Sequence, residues 1–318
     1  MASKWINKDL FTRFQEQKKQ EQDNTPNNSG NRLETVWKNP DRGTVDKPKI
    51  YEGRFLQDTA GNFYEKYFYH MFNSNEKWCF VLCEKTFDMS NFCPWCTTSS
   101  KLYMSGNKAD KDMARNYKRK ERYCGNWYIV DDPRDVETDD EERKSNGKVK
   151  IYEFPSKVES KVKNEVTDSK NGLGPDIFDP GKDGYNFIIK VKATKPTADG
   201  KIFPDYADSI FSRRPTPLGT DIEIKKIMEQ TINLKEYIRS MKMNDDNNET
   251  LLKSEMVWDI VSNEWNENRR KVTRTTVSED VSDESVVDND SNDNNFTNTS
   301  TESTDQSDED LLKELEDL

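Results

Sequence analysis

The chain has 318 residues, with 49 Lys+Arg against 60 Asp+Glu, a net charge of −11 and 32 % apolar residues. That length suits one large domain or two small ones, but globular domains are roughly 45–50 % apolar with glycine counted, so a sizeable part of this chain is not core. No run of 18 apolar residues exists, which excludes a transmembrane helix. Met1–Asn7 carries no apolar leader and the cysteines number five, so the expected setting is a reducing cytoplasm without a disulfide framework.

Charge is spread unevenly. From Val277 to Leu318 there are fifteen acidic residues and one basic one, Lys313, giving −14; the other 276 residues therefore carry +3 of the total of −11. A slightly basic body with a strongly acidic tail keeps nucleic-acid binding open, which the overall charge conceals.

In chain order, residues 1–24 read as an amphipathic helix. Trp5, Ile6, Leu10, Phe11 and Phe14 recur near helical spacing among Lys4, Lys8, Arg13, Lys18 and Lys19. The Asn-, Pro-, Ser- and Gly-rich stretch Asn24–Arg32 is a linker. An apolar stripe on such an arm docks either on the chain's own body or on a neighbour. From Tyr51 to Phe211 short strands alternate with polar loops: Arg54–Leu56, Tyr64–Phe72, Trp78–Cys83, Asn126–Val130, Val149–Phe154 and Asn186–Thr194. The pattern predicts a mainly β fold with added helices, a small barrel or sandwich with insertions. The charge-dense loop Asp131–Lys148 is expected in solvent.

Helices are expected over Asp221–Met243 and around Leu251–Trp265, where Leu252, Met256, Ile260 and Val261 keep helical spacing. After the basic stretch Arg269–Arg274 the composition turns to Ser, Thr, Asn and Asp, too polar to offset its ordering entropy, so a disordered acidic tail is expected. At its end Leu311, Leu312, Leu315 and Leu318 share a helical face; nine residues are too few for an isolated helix in water, which suits a motif that folds on a partner. The resulting division is an arm over 1–32, a core over 33–266 and a tail over 267–318.

Cys93-Pro94-Trp95-Cys96 is the strongest local signal. A Cys-x-x-Cys turn aims two thiolates at one point, half of a structural zinc site. Cys79, Cys83 and the single histidine, His70, lie upstream. The fourth ligand beside Cys83, Cys93 and Cys96 is either His70 or Cys79, since the hairpin joining Tyr64–Phe72 to Trp78–Cys83 brings both close. With every position filled by protein, one Zn2+ would be structural, without catalysis.

A basic and aromatic cluster follows: Tyr103, Arg115, Tyr117, Lys118, Arg119, Lys120, Arg122, Tyr123, Trp127 and Tyr128. Lys148, Lys150 and Tyr152 share one strand face. On the last long strand Phe187, Ile189 and Val191 would face the core, with Lys190 and Lys192 opposite; Phe203, Tyr206, Arg213 and Arg214 come soon after. Cations pair with phosphates and rings stack on unpaired bases, so the set suits a single-stranded nucleic-acid groove. The −14 tail would occupy that groove in the absence of nucleic acid. An RNA-binding regulator on a similar barrel, or a zinc-lobed protein-interaction hub, uses the same residue types. No enzyme is suggested: one histidine, already a candidate ligand, leaves no Ser-His or Cys-His pair. No Walker-type loop exists, and Gly172-Leu173-Gly174-Pro175 lacks a strand–helix context.

The spacing His70-x12-Cys83-x9-Cys93-x2-Cys96 resembles the zinc signature of the replication single-stranded DNA-binding (helix-destabilising) proteins of T-even-like tailed bacteriophages. So do Arg54-Phe55-Leu56, Lys77-Trp78, Leu102-Tyr103, Lys118-Arg119-Lys120 with Tyr123, Asp132-Pro133, Asn186-Phe187 with Lys190-Val191-Lys192, Phe203-x-x-Tyr206 and the leucine-punctuated acidic end. The resemblance implies His70 rather than Cys79 as ligand, and an OB-fold core with a zinc subdomain and a groove lined by these aromatics and cations. It also implies an arm joining protomers on DNA, a tail recruiting replication and recombination proteins, and a place in the infected host cell. Cys124 stands where the family carries tryptophan, Glu121 and Arg122 stand where it carries Ser/Thr, and the arm's cations are spread over residues 4–19.

Overall fold

A computed structural model of the chain describes residues 35–278, apart from 75, 138–143, 169 and 199. The arm, with Trp5, Leu10 and Phe11, and the terminal motif, with Leu311, Leu312, Leu315 and Leu318, lie outside the described residues. The chain divides into units 1–270 and 271–318; the account below is of the first.

Among the described residues, eight strands form one antiparallel sheet curled into an OB-like half-barrel: β1 (Lys49–Leu56), β2 (Glu65–Ser74), β3 (Lys77–Leu82), β4 (Arg119–Asp131), β5 (Val149–Phe154), β6 (Phe187–Ala193), β7 (Pro204–Asp205) and β8 (Ile210–Phe211). Their order is β3-β2-β4-β1-β6-β7, with β5 also on β4 and β8 on β6. The 13-residue β4 is the common rib. Its first half pairs β2, from Glu65↔Cys124 to His70↔Arg119, and its second half pairs β1 and β5.

Alternation decides the faces. Tyr51, Phe55, Trp127, Tyr152, Phe187, Ile189 and Val191 point into the barrel and pack with Trp37. The rings meet edge-on and offset, Phe55 on Trp127 at 4.8 Å and Trp37 on Tyr152 at 5.1 Å, the arrangement ring quadrupoles favour. β1 passes over Trp127 only because residue 53 is glycine; a Cβ there would lie 2.4 Å from the indole. Arg54 is also fully buried. It donates to the Asn186 side chain and to the carbonyls of Asp179 and Thr216, and burial lowers its pKa to about 10.

Helices flank the sheet. α1 (Pro94–Met104) and α2 (Lys108–Asn116) follow β3, and α3 (Ser156–Thr167) follows β5. α4 (Asp221–Met228), α5 (Leu234–Ser240), α6 (Asp245–Ser254) and α7 (Trp258–Ser278) are the remaining α-helices among the described residues. Among the described residues no helix is long and apolar enough to cross a membrane.

Three expectations change. The helix over Asp221–Met243 is two helices, α4 and α5. Between them the Asn126 side chain donates to the Ile232 carbonyl and accepts from its N–H, both at 2.9 Å, and Asn233 caps α5. The Leu251–Trp265 helix breaks at Met256, which takes a left-handed φ of 57°. The loop Asp131–Lys148 keeps exposed residues, Val136 among them, but its described parts on either side of 138–143 are also pinned to the body. Buried Asp132 accepts from Trp37 Nε1 at 2.8 Å and from Arg134, and Asp135 accepts from the Ser145 and Asn146 N–H groups.

Candidate metal centre and nucleic-acid interface

His70 comes from the middle of β2, Cys83 from the residue after β3, and Cys93 and Cys96 from the start of α1. Pro94 at the first helical position sets the turn. The four ligand atoms lie within 4.8 Å of one another. Cys83 Sγ is 3.6 Å from both Cys93 Sγ and Cys96 Sγ, and His70 Nε2 is 3.4 and 3.6 Å from those two. Thiolates at about 2.3 Å from a tetrahedral ion are about 3.7 Å apart, so these residues could hold a metal ion. The Cys93 thiol is held well below its usual pKa, mainly by hydrogen bonds from Cys83 and Cys96 and further by His70, which favours the ligating thiolate. His70 Nδ1 donates to the Tyr117 carbonyl at 2.7 Å. That leaves Nε2 as the lone-pair nitrogen facing the thiols.

Cys79 is outside this cluster. It sits opposite Phe72, one side-chain rung nearer the hairpin turn than His70. On a strand that step is about 6.8 Å. The structure therefore separates the two alternatives that spacing leaves open.

The expected nucleic-acid residues fall into three groups. On the metal lobe, Tyr103 is half-buried with Lys111 Nζ 5.3 Å from its ring, while exposed Arg115 pairs with Asp112. Tyr117 is buried there, its hydroxyl donating to Glu255. On β4, Arg119 lies 4.6 Å from the Phe68 ring centre, with Lys66 at 4.8 Å, so two cations flank one ring. Lys120 reaches the Met71 carbonyl, while Lys118 and Arg122 are half-buried. Tyr123 is buried and stacked on Phe154. On the outer face of β6, Lys190 and Lys192 alternate with the inward Ile189 and Val191, and Lys192 is paired with Asp208. Phe203, before β7, is 50 % exposed, whereas Tyr206, just after it, is buried.

Trp127 and Tyr152 are corrected: both are 0 % exposed inside the barrel. Their rings hold the core together and present no face to a base. Lys148 and Lys150 share strand parity with Tyr152, as expected, but remain half-exposed at the rim.

The sequence reading passed over several residues with suitable chemistry. Lys66 and Phe68 are one example. Another is the face of β2 and β3 opposite His70, where Trp78 stands 70 % exposed near the hairpin turn and Tyr69, in a buried cluster with Leu234 and Ile238 of α5, stacks on Phe80 at 5.3 Å. The signal was available in the alternation of Tyr67, Tyr69 and Met71 against Phe68, His70 and Phe72.

The family model described as "gp32 DNA binding protein like" matches residues 54–257, more than half of the chain and the whole of the metal cluster and β4. No curated protein matches the chain.

Proposed function

The chain belongs to the gp32-like family of DNA-binding proteins, and from that membership we propose that it is a cooperative, largely sequence-independent single-stranded DNA-binding protein without catalytic activity. The observation that carries the reading is the coincidence of the family match with the cations and rings along β4 and its neighbours. Lysines and arginines would neutralise phosphates, so affinity falls as salt rises. Partly exposed rings such as Phe203 and Tyr103 would stack on unpaired bases, a preference duplex DNA cannot meet.

His70, Cys83, Cys93 and Cys96 would hold one Zn2+. Bound there, the ion would cross-link β2, the end of β3 and α1 and supply folding energy rather than reactivity. The arm over residues 1–32 would join neighbouring protomers along DNA through Trp5, Leu10 and Phe11. The tail over 267–318 would cover the cationic face in free protein and, once displaced, recruit replication and recombination proteins through Leu311, Leu312, Leu315 and Leu318. Such a protein holds open and protects unpaired strands during phage DNA replication, recombination and repair in the infected host cytoplasm.

The test is intrinsic fluorescence during titration with long oligo(dT) at several salt concentrations. Quenching that weakens steeply with salt is expected, with a sigmoidal approach to saturation. Absence of quenching at low salt would overturn the reading.

A further inference from the structure

The turn that joins β7 to β8 folds a carboxylate back onto the lysines of β6. Ser209 is fully buried in that turn. Its Oγ accepts from the Lys190 N–H at 2.9 Å and donates to the Lys190 carbonyl at 3.3 Å. Lys161 of α3 donates to the Ala207 carbonyl at 2.8 Å, and the Ala207 N–H donates to Asp205 Oδ1 at 3.2 Å. Ala207 and Ser209 are thus both bonded to the body, and the backbone places Asp208 between them.

Three lysines converge on Asp208. Its carboxylate pairs with Lys192, and Lys190 and Lys161 add to the field that, after that pair, holds it below the usual aspartate pKa. Lys192 stands opposite Asp205 in the β6–β7 ladder, and Asp205 and Asp46 act on it more weakly than Asp208 does. Asp205 has its own cation, Lys157, at 3.5 Å. Lys192 and Asp208 are 33 % and 49 % exposed, so an anion from outside reaches both. A carboxylate and a phosphodiester offer a lysine the same thing, negatively charged oxygen acceptors. An exposed ion pair is weak, so one such anion can replace the other without unfolding the turn.

We propose that Asp208 is a built-in competitor of nucleic acid: in free protein its carboxylate occupies the anion position among Lys161, Lys190 and Lys192, and a backbone phosphate displaces it from Lys192 on binding. The inference rests on the single-stranded DNA-binding reading above and adds a regulation of that site, a residue that keeps binding loose. Once displaced, Asp208 remains beside the strand, repels it, and lowers the number of counterions that binding releases.

The experiment uses the full chain and its D208N, D208E and E229Q variants. Binding of fluorescent oligo(dT) is measured across NaCl concentrations, with thermal melts in the absence of DNA. D208N should melt close to the wild-type temperature and bind about threefold to fivefold more tightly at about 0.1 M NaCl. Its slope of log K against log[salt] should steepen by about 0.7. D208E keeps the charge and should bind as the wild type does. E229Q removes one charge from an exposed carboxylate at the end of α4. Ile227 of that helix clusters with Leu56, six residues along β1 from Ile50, the partner of Lys190. That is about 20 Å of strand, beyond the screening length of about 10 Å at this salt, so E229Q should bind within about twofold of wild type. D208N binding no tighter than a wild type that binds would overturn the proposal. So would an equal gain by D208E or E229Q. Failure of the wild type itself to bind would instead overturn the underlying reading. If D208N does not fold, D208S, which removes the same charge, decides.

Discussion

His70 Nδ1 donates to the backbone carbonyl of Tyr117 at 2.7 Å, so the residue that ends α2 selects which imidazole nitrogen faces Cys83, Cys93 and Cys96. Tyr117 is tied in turn, its hydroxyl bonded to Glu255 just past α6. Three segments distant in sequence thus hold one ring in the orientation a metal ligand needs.

Metal content follows from that arrangement. Purified protein should contain one zinc per chain by elemental analysis, and C79S should keep it. C83S or C93S should lose it and melt roughly 10 °C lower, as expected for a few kcal/mol in a domain of this size. Retention of zinc by C93S, or its loss from C79S, would refute the assignment.

Acid should loosen the loop after β4 through Asp132. Burial raises its pKa, but hydrogen bonds from Arg134 and Trp37 outweigh that and hold it below the ordinary aspartate value. A carboxyl depressed in the folded state contributes stability that is complete above its unfolded pKa of about 3.9 and is lost as pH falls through the folded value. Melts between pH 6 and pH 2 should therefore show the wild type losing more than D132N, which at pH 6 should be less stable by about 1–3 kcal/mol. Parallel curves would contradict this.

Trp127 and Phe203 should separate core from contact. W127A should cost about 3–5 kcal/mol of stability, as other large core truncations do. F203A should leave the melt within about 0.5 kcal/mol and weaken oligo(dT) binding by about 1–3 kcal/mol. A stable W127A, or an F203A with wild-type affinity, would reverse these roles.

Removing the residues after Thr276 deletes the −14 segment apart from its counter-charge on the body. Oligo(dT) binding should tighten several-fold at low salt, and the difference should fade by about 1 M, where screening acts within about 3 Å. Equal affinities at low salt would show that the tail does not compete with DNA.

The core was readable where strand chemistry is simple. Phe187, Ile189 and Val191 turn inward, as their alternation dictates. Of the candidate metal ligands, Cys83, Cys93 and Cys96 were legible in their spacing, which left His70 and Cys79 as alternatives for the fourth position. Alternation, however, tells which side chains share a face and not which face is enclosed: Lys148, Lys150 and Tyr152 share parity, yet Tyr152 ends inside the barrel. α1 escaped because its apolar period is weak, and α2 because Met113 is its only large apolar residue. Their signals were Pro94 at the start of one and the Asn107 cap on the Ala109 N–H of the other. The break between α4 and α5 is tied by Asn126, more than a hundred residues upstream, and its one local sign is Asn233, the cap of α5.

β4 carries a consequence for synthesis. It must await partners from both directions: Arg54 of neighbouring β1 is anchored by Asn186 and Thr216, and Asn126 closes onto Ile232. Such distant pairings close slowly, since chain entropy is lost before contacts reward it. On the ribosome β1 to β5 emerge with their inner rings uncovered until β6 and β8 arrive. Between the synthesis of β5 and that of β8 the nascent chain is therefore an open, aromatic-lined sheet, an interval that favours chaperone capture or aggregation.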